Sequence, residues 1–95
     1  MHAMIRRYAD PGCASGDVVR AARSLAAVLD HVPGFISCVI VQPQGGGLAL
    51  VTLFDEAVNV GAAEEAPGAC LADHLPGLAE PYDLTTGEVV FQRGL

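Results

Sequence analysis

Two neighbouring stretches constrain this chain most. Val32-Pro33-Gly34-Phe35-Ile36-Ser37-Cys38-Val39-Ile40-Val41 is followed by Gly45-Gly46-Gly47 and then by Leu48-Ala49-Leu50-Val51-Thr52-Leu53-Phe54-Asp55. Aliphatic and β-branched residues on either side of a tight glycine turn spell a β-hairpin. Neither strand has a polar face. With strict alternation, Phe35, Val39 and Val41 lie on one side of the first strand, and Ile36, Cys38 and Ile40 on the other. On the second, Leu48, Leu50 and Phe54 oppose Ala49, Val51 and Leu53. An antiparallel sheet that leaves one face in water normally alternates apolar with polar residues. This hairpin must be covered on both sides.

Few elements are at hand to cover it. Ninety-five residues suit a single domain spanning 1–95, and a chain of that size buries only roughly 60–65% of the surface its unfolded form exposes. Half of the residues are apolar, but no run reaches the roughly 18 residues a membrane-spanning helix needs. The start, Met1-His2-Ala3-Met4-Ile5-Arg6-Arg7, lacks the apolar core of a secretion signal. Cys13, Cys38 and Cys70 are odd in number and show no metal-ligand spacing. Three reduced thiols in a cytoplasmic protein, with no bound metal, are the expectation.

Charge excludes further classes. The net charge is −6, and the five basic residues are all arginine. Nucleic-acid binding needs clustered cations to displace counterions, and only the pair Arg6-Arg7 is adjacent. An anionic membrane surface repels such a chain. The absence of lysine removes a phosphate-loop lysine from the glycine turn, a pyridoxal Schiff base and any lysine nucleophile. No cofactor is expected.

The remaining elements follow in order. Residues about 2–9 read as a strand ended by Asp10-Pro11-Gly12. Ser15 or Asp17 can cap a helix that runs to about His31. Val18, Ala22, Leu25 and Leu29 form its apolar stripe, Val19 and Ala26 widen it, and Arg20, Arg23 and Asp30 fall on the wet side. A second, less regular helical region covers 57–66 and resumes over 69–75 after Pro67-Gly68. Residues 76–83 read as a loop and 87–93 as a last strand.

The order β-α-β-β-α-β is the ferredoxin-like split unit, an α+β fold with both helices on one face of a four-stranded antiparallel sheet. The other face is then bare, and here it is apolar. Burying roughly 500–800 Å² of it per subunit contributes on the order of 12–20 kcal/mol before association costs. A two-fold homodimer, sheet against sheet, covers it economically.

On these residues the chain resembles the antibiotic-biosynthesis-monooxygenase-like domains of the dimeric α+β barrel superfamily. The likeness is carried by Asp10-Pro11-Gly12, Val32-Pro33-Gly34-Phe35, Val51-Thr52-Leu53-Phe54-Asp55-Glu56, Leu71-Ala72-Asp73-His74-Leu75 and Gly87-Glu88-Val89-Val90, and it covers the whole chain. It implies a homodimer with a ligand cleft between sheet and helices. Members include cofactor-independent oxygenases of quinol-like polyketides and haem-degrading enzymes. The oxygenases commonly use tryptophan and asparagine in the cleft; this chain has no tryptophan and one asparagine, Asn59. The haem-degrading branch uses a histidine late in the second helix, about where His74 stands, with a tryptophan and a first-strand asparagine. Here the first strand has Ile5 and Arg7 instead.

Four residues are the candidates for a site. His74 can act as ligand or general base, or cap the end of its helix. Tyr82, in the loop over the cleft mouth, donates a hydrogen bond to a bound aromatic or anchors the loop. Arg6 and Arg7 must point to opposite faces of their strand, and the one facing the helices needs a partner. Arg7 in the cleft can grip a carboxylate or an enolate, or it can pair with Glu88 or another acid on the last strand. Cys38 lines the cleft as a small apolar residue. Two functional classes stay open. One is a cofactor-independent monooxygenase acting on an aromatic or quinol-type molecule, with His74 and Tyr82 as its catalytic groups. The other is a non-catalytic dimer that binds an apolar metabolite or has its interior filled by core side chains.

Overall fold

A computed structural model describes residues 1–10, 12, 15–55, 69–75, 77–78 and 80–94. Its elements are β1 (His2–Tyr8), α1 (Ser15–Leu29), β2 (Phe35–Val41), β3 (Leu48–Phe54) and β4 (Asp83–Glu88). The described part of a second helix, α2, covers residues 69–74. The strands form one antiparallel sheet in the order β2-β3-β1-β4, so the architecture is the expected α+β ferredoxin-like one. The expected helix over 57–66, with Asn59 and Glu64-Glu65, lies outside the described residues, as does Cys13.

One face of the sheet carries the core. Met4, Arg6 and Tyr8 of β1 and Leu48, Leu50, Thr52 and Phe54 of β3 are buried, and the residues that alternate with them are not. Tyr8, Leu48, Leu50 and Phe54 cluster with Val18, Ala21, Leu25 and Leu29 of α1 and with Cys70, Leu71 and Leu75 around α2. Both helices therefore pack on the same side. The α1 stripe steps by three, four and four residues, as a helix period requires. Ala21 occupies the buried position expected for Ala22, which is only half-buried.

Past Leu29 the chain leaves α1 in a tight turn in which the Val32 N–H donates to the Leu29 carbonyl at 2.9 Å. Gly34 follows with φ 81°, a conformation glycine adopts without steric cost. Between β2 and β3, Gly47 has φ 93° and its Cα faces the Tyr8 carbonyl; a Cβ there would lie 2.9 Å from that oxygen. The triple glycine is a turn in which one position admits no side chain.

The opposite face of the sheet is open. Val39 and Val41 of β2 are 53% and 47% exposed, beside half-buried Ala49, Val51 and Leu53 of β3 and Ile5 of β1. Phe35 does not share this face, although unbroken alternation assigns it there. The β2–β3 register slips between Phe35 and Ser37: Phe35 pairs with Phe54 and Ser37 with Leu53. Ile36 is the extra residue of a β-bulge, which turns Phe35 to the helix side with Cys38 and Ile40.

The last strand lies earlier than its β-branched residues suggest. It covers Asp83–Glu88 rather than 87–93, because pairing with β1 decides its extent: Asp83 faces Arg7 and Glu88 faces His2. The Tyr82 N–H donates to the Arg7 carbonyl and the Val89 N–H to the Met1 carbonyl, each at 2.9 Å. The β1–β4 ladder ends at the pair His2–Glu88. Val90 and Phe91 consequently stand 96% and 82% exposed.

Candidate functional site

Where α1 crosses the edge strand β2, the two elements do not close. They leave a cleft of roughly 520 Å³, lined by Val18, Val19, Ala22, Ala26 and Arg23 on the helix side. Phe35, Ser37, Cys38, Ile40 and Gln42 line it on the strand side. The local cause is steric. Residues 18, 22 and 26 recur at one helical turn, and two of the three are alanines, whose short side chains cannot fill the space to the sheet. Phe35 forms an aromatic wall held from behind by Phe54, with ring centroids 5.9 Å apart and planes inclined at 63°. Such an edge-to-face pair fixes the ring in place. Val19 and Ala26, which widened the apolar stripe in the sequence, border this cleft, and both are exposed.

The cleft is apolar with a small polar rim. Among the described residues that line it, Arg23 is the one that carries a charge. Arg20 pairs with Asp17 one turn earlier on α1, and Arg7 is bound to Asp83; Arg23 makes no ion pair among the described residues. Burial raises the Cys38 thiol above its ordinary 9.0, so at neutral pH Cys38 offers a small apolar surface rather than a thiolate. Cys38, one of the residues singled out in the sequence, lines this cleft. Arg23 was not among those residues. The readable signal was an apolar stripe on α1 wider than the sheet covers, with an arginine on its border.

The other candidates do not converge on this cleft. Arg7, expected in it, lies on the open face of the sheet, its Nε 3.7 Å from Asp83 Oδ2. The arginine that faces the helices is Arg6, only 3% exposed. Met4 and Tyr8 fix that phase, because their apolar bulk belongs in the core and Arg6 lies between them. Tyr8 is buried next to it. Its hydroxyl makes no hydrogen bond among the described residues, and burial raises its pKa above 10.0 while the Arg6 charge pulls it back.

His74 is exposed at the end of α2, and its Nδ1–H donates to the Cys70 carbonyl at 2.9 Å. That bond satisfies one of the last carbonyls of the helix. The Cys70 sulfur is 4.0 Å from the same nitrogen. Burial first and then the Asp73 charge raise the Cys70 thiol, which disfavours its thiolate. Tyr82 is exposed just before β4, its backbone bonded to Arg7.

No protein-family model matches the sequence, and no curated protein matches it either. Solved structures do share the fold. The haem degrader MhuD from Mycobacterium tuberculosis, solved with two haems in its active site, superimposes with a TM-score of 0.72 at 22% identity, covering 99% of this chain and 100% of that one. A proposed antibiotic biosynthesis monooxygenase from Chloroflexus aurantiacus gives 0.70 at 17% identity, covering 98% and 96%. A variant of SnoaB, a cofactor-independent oxygenase from Streptomyces nogalater, gives 0.71 at 14% identity, covering 96% and 94%. The chain thus has the antibiotic-biosynthesis-monooxygenase-like fold.

Among the described residues that line the α1–β2 cleft, none suits the iron of a haem such as MhuD holds. A guanidinium, an amide, a hydroxyl and a protonated thiol are not a ligand set for haem iron. His74 does not line the cleft, and one of its ring nitrogens is committed to a backbone carbonyl.

Proposed function

We propose that this chain is a homodimer that takes an aromatic or quinol-type small molecule into the α1–β2 cleft and oxygenates it without a bound cofactor. The supporting observation is the cleft itself. It is apolar, of a size usual for small-molecule sites, walled by a fixed aromatic ring and bordered by one cation. Similarity of fold to SnoaB and to a proposed antibiotic biosynthesis monooxygenase adds to the reading. In such chemistry the ionised substrate is the electron donor and molecular oxygen the acceptor. A ring CH₂ becomes C=O, and the second oxygen atom leaves as water. The protein's contribution is to orient the ring, exclude water and favour the ionised form. Dimerisation through the open face covers Val39, Val41, Val51 and Leu53, and a cytoplasmic setting suits the free thiols Cys38 and Cys70.

A second reading, a binder without turnover, is favoured by a specific observation. Among the described residues that line the cleft none is a general base at neutral pH. Catalytic roles for His74 and Tyr82 need a substrate that reaches beyond the cleft to α2 and to the start of β4.

Thermal unfolding against hydroquinones, polycyclic phenols, fatty acids and haem decides whether the cleft is open, and oxygen uptake with any stabilising compound separates enzyme from binder. His74→Ala and Tyr82→Phe then test the catalytic roles. Loss of turnover with binding retained supports them; unchanged turnover ends them. No stabilisation by any class of compound ends the small-molecule reading.

A further inference from the structure

We infer that the occupant of the cleft is an amphipathic organic anion: a flat apolar ring system carrying one carboxylate or ionised phenol, which Arg23 holds at the rim. This rests on the proposed small-molecule cleft and specifies its ligand. The chain carries a net charge of −6 and has only five cations, so its long-range field disfavours anions. Positive charge must therefore be supplied locally where an anion is to bind. Arg7 is tied to Asp83, Arg20 is tied to Asp17, and Arg6 is buried in the core layer. Arg93 lies in the exposed chain beyond β4. Among the described residues that line the cleft, Arg23 is the cation.

Its place on α1 sets the geometry. Val19 lies one turn before Arg23 and Ala26 three residues after it, and all three border the cleft. The guanidinium thus stands on the rim of an apolar wall, with Phe35, Cys38 and Ile40 facing it from β2. A ring system between α1 and Phe35 places an anionic substituent at the rim, where the guanidinium fork presents parallel N–H donors. Gln42, at the strand side of the same cleft, adds an amide donor. Among the described residues that line the cleft, none is a carboxylate that would compete with the ligand.

The test uses two fluorescent probes with the same apolar body, anilinonaphthalene sulfonate, an anion, and phenylnaphthylamine, which is neutral. Titrations compare the wild type with Arg23→Gln and with Ala26→Phe, which fills the cleft from an exposed helix position. Arg23→Gln is expected to weaken the anionic probe about fivefold, as a partly exposed ion pair would, and to leave the neutral probe unchanged. Ala26→Phe is expected to weaken both. If Ala26→Phe weakens both probes but Arg23→Gln affects neither, or both alike, the anion preference is overturned while the cleft stands. If neither probe binds, or if Ala26→Phe changes nothing, the cleft reading falls as well.

Discussion

Val39→Asp tests the two-fold dimer most directly. Fully burying a valine side chain is worth about 1.5–3 kcal/mol. With 53% of Val39 still exposed in the single chain, a sheet-to-sheet partner has about half of that left to gain, about 0.8–1.5 kcal/mol. Two-fold symmetry repeats the loss in both subunits, so the substitution removes about 1.6–3 kcal/mol per dimer. That corresponds to a roughly 15- to 150-fold weaker association. Desolvating an unpaired carboxylate adds to this, which makes the range a lower limit.

Val19 supplies the control. It is nearly as exposed as Val39 but sits on α1, on the far side of the molecule from the open face. Sedimentation equilibrium over about a hundredfold range of concentration should show Val39→Asp shifted toward monomer and Val19→Asp as dimeric as the wild type. Circular dichroism checks that both variants fold. A Val39→Asp variant that is folded and as dimeric as the wild type refutes the sheet-to-sheet reasoning, and so does a wild type that stays monomeric.

Other consequences follow from single groups. Tyr8→Phe removes a buried hydroxyl with no hydrogen-bond partner among the described residues and should raise stability by about 1 kcal/mol in urea unfolding; a drop of that size would show that the hydroxyl is satisfied. Gly47→Ala brings a Cβ to 2.9 Å from the Tyr8 carbonyl at a φ of 93° and should cost about 1–3 kcal/mol, whereas Gly45→Ala, with open space around it, should be close to neutral. Alkaline pH should weaken the fold. The thiols of Cys38 and Cys70 are raised above 9.0 in the folded state, so the unfolded chain loses these protons first and gains on the folded one as pH rises. Urea midpoints should hold level up to about pH 8 and fall beyond about pH 9, and a double Cys38→Ala, Cys70→Ala variant should flatten the decline.

The fold was legible because its signals are local and agree. Alternation in β3, the helical period of α1 and the glycine turn each name one element, and their order names the topology. Two misreadings share a cause: they concern residues whose role is set by a partner distant in sequence. Val89-Val90-Phe91 has the strongest β-propensity of the C-terminal stretch, but β1 ends at its first residues, so the ladder runs through Asp83–Glu88. Arg6 and Arg7 are equivalent by type, and only the burial of Met4 and Tyr8 assigns Arg6 to the core side. Arg23 is exposed, as its place on the wet side of α1 implies, but nothing near it in sequence reveals that α1 and β2 stand apart. The side on which Cys38 lies follows from alternation beyond the bulge.

The slip at Ile36 lets one strand put an odd-numbered residue, Phe35, on the same side as the even-numbered Cys38 and Ile40. Ordinary alternation through all seven residues would send the Phe35 ring to the side of Val39 and Val41. The extra residue therefore supplies the cleft with its aromatic wall and spares the open face a large apolar group. A chain lacking Ile36 would keep this arrangement, because Phe35 would then directly precede Ser37 and still stand opposite Phe54. What the ring's position depends on is the break in pairing, and not the isoleucine side chain that occupies it.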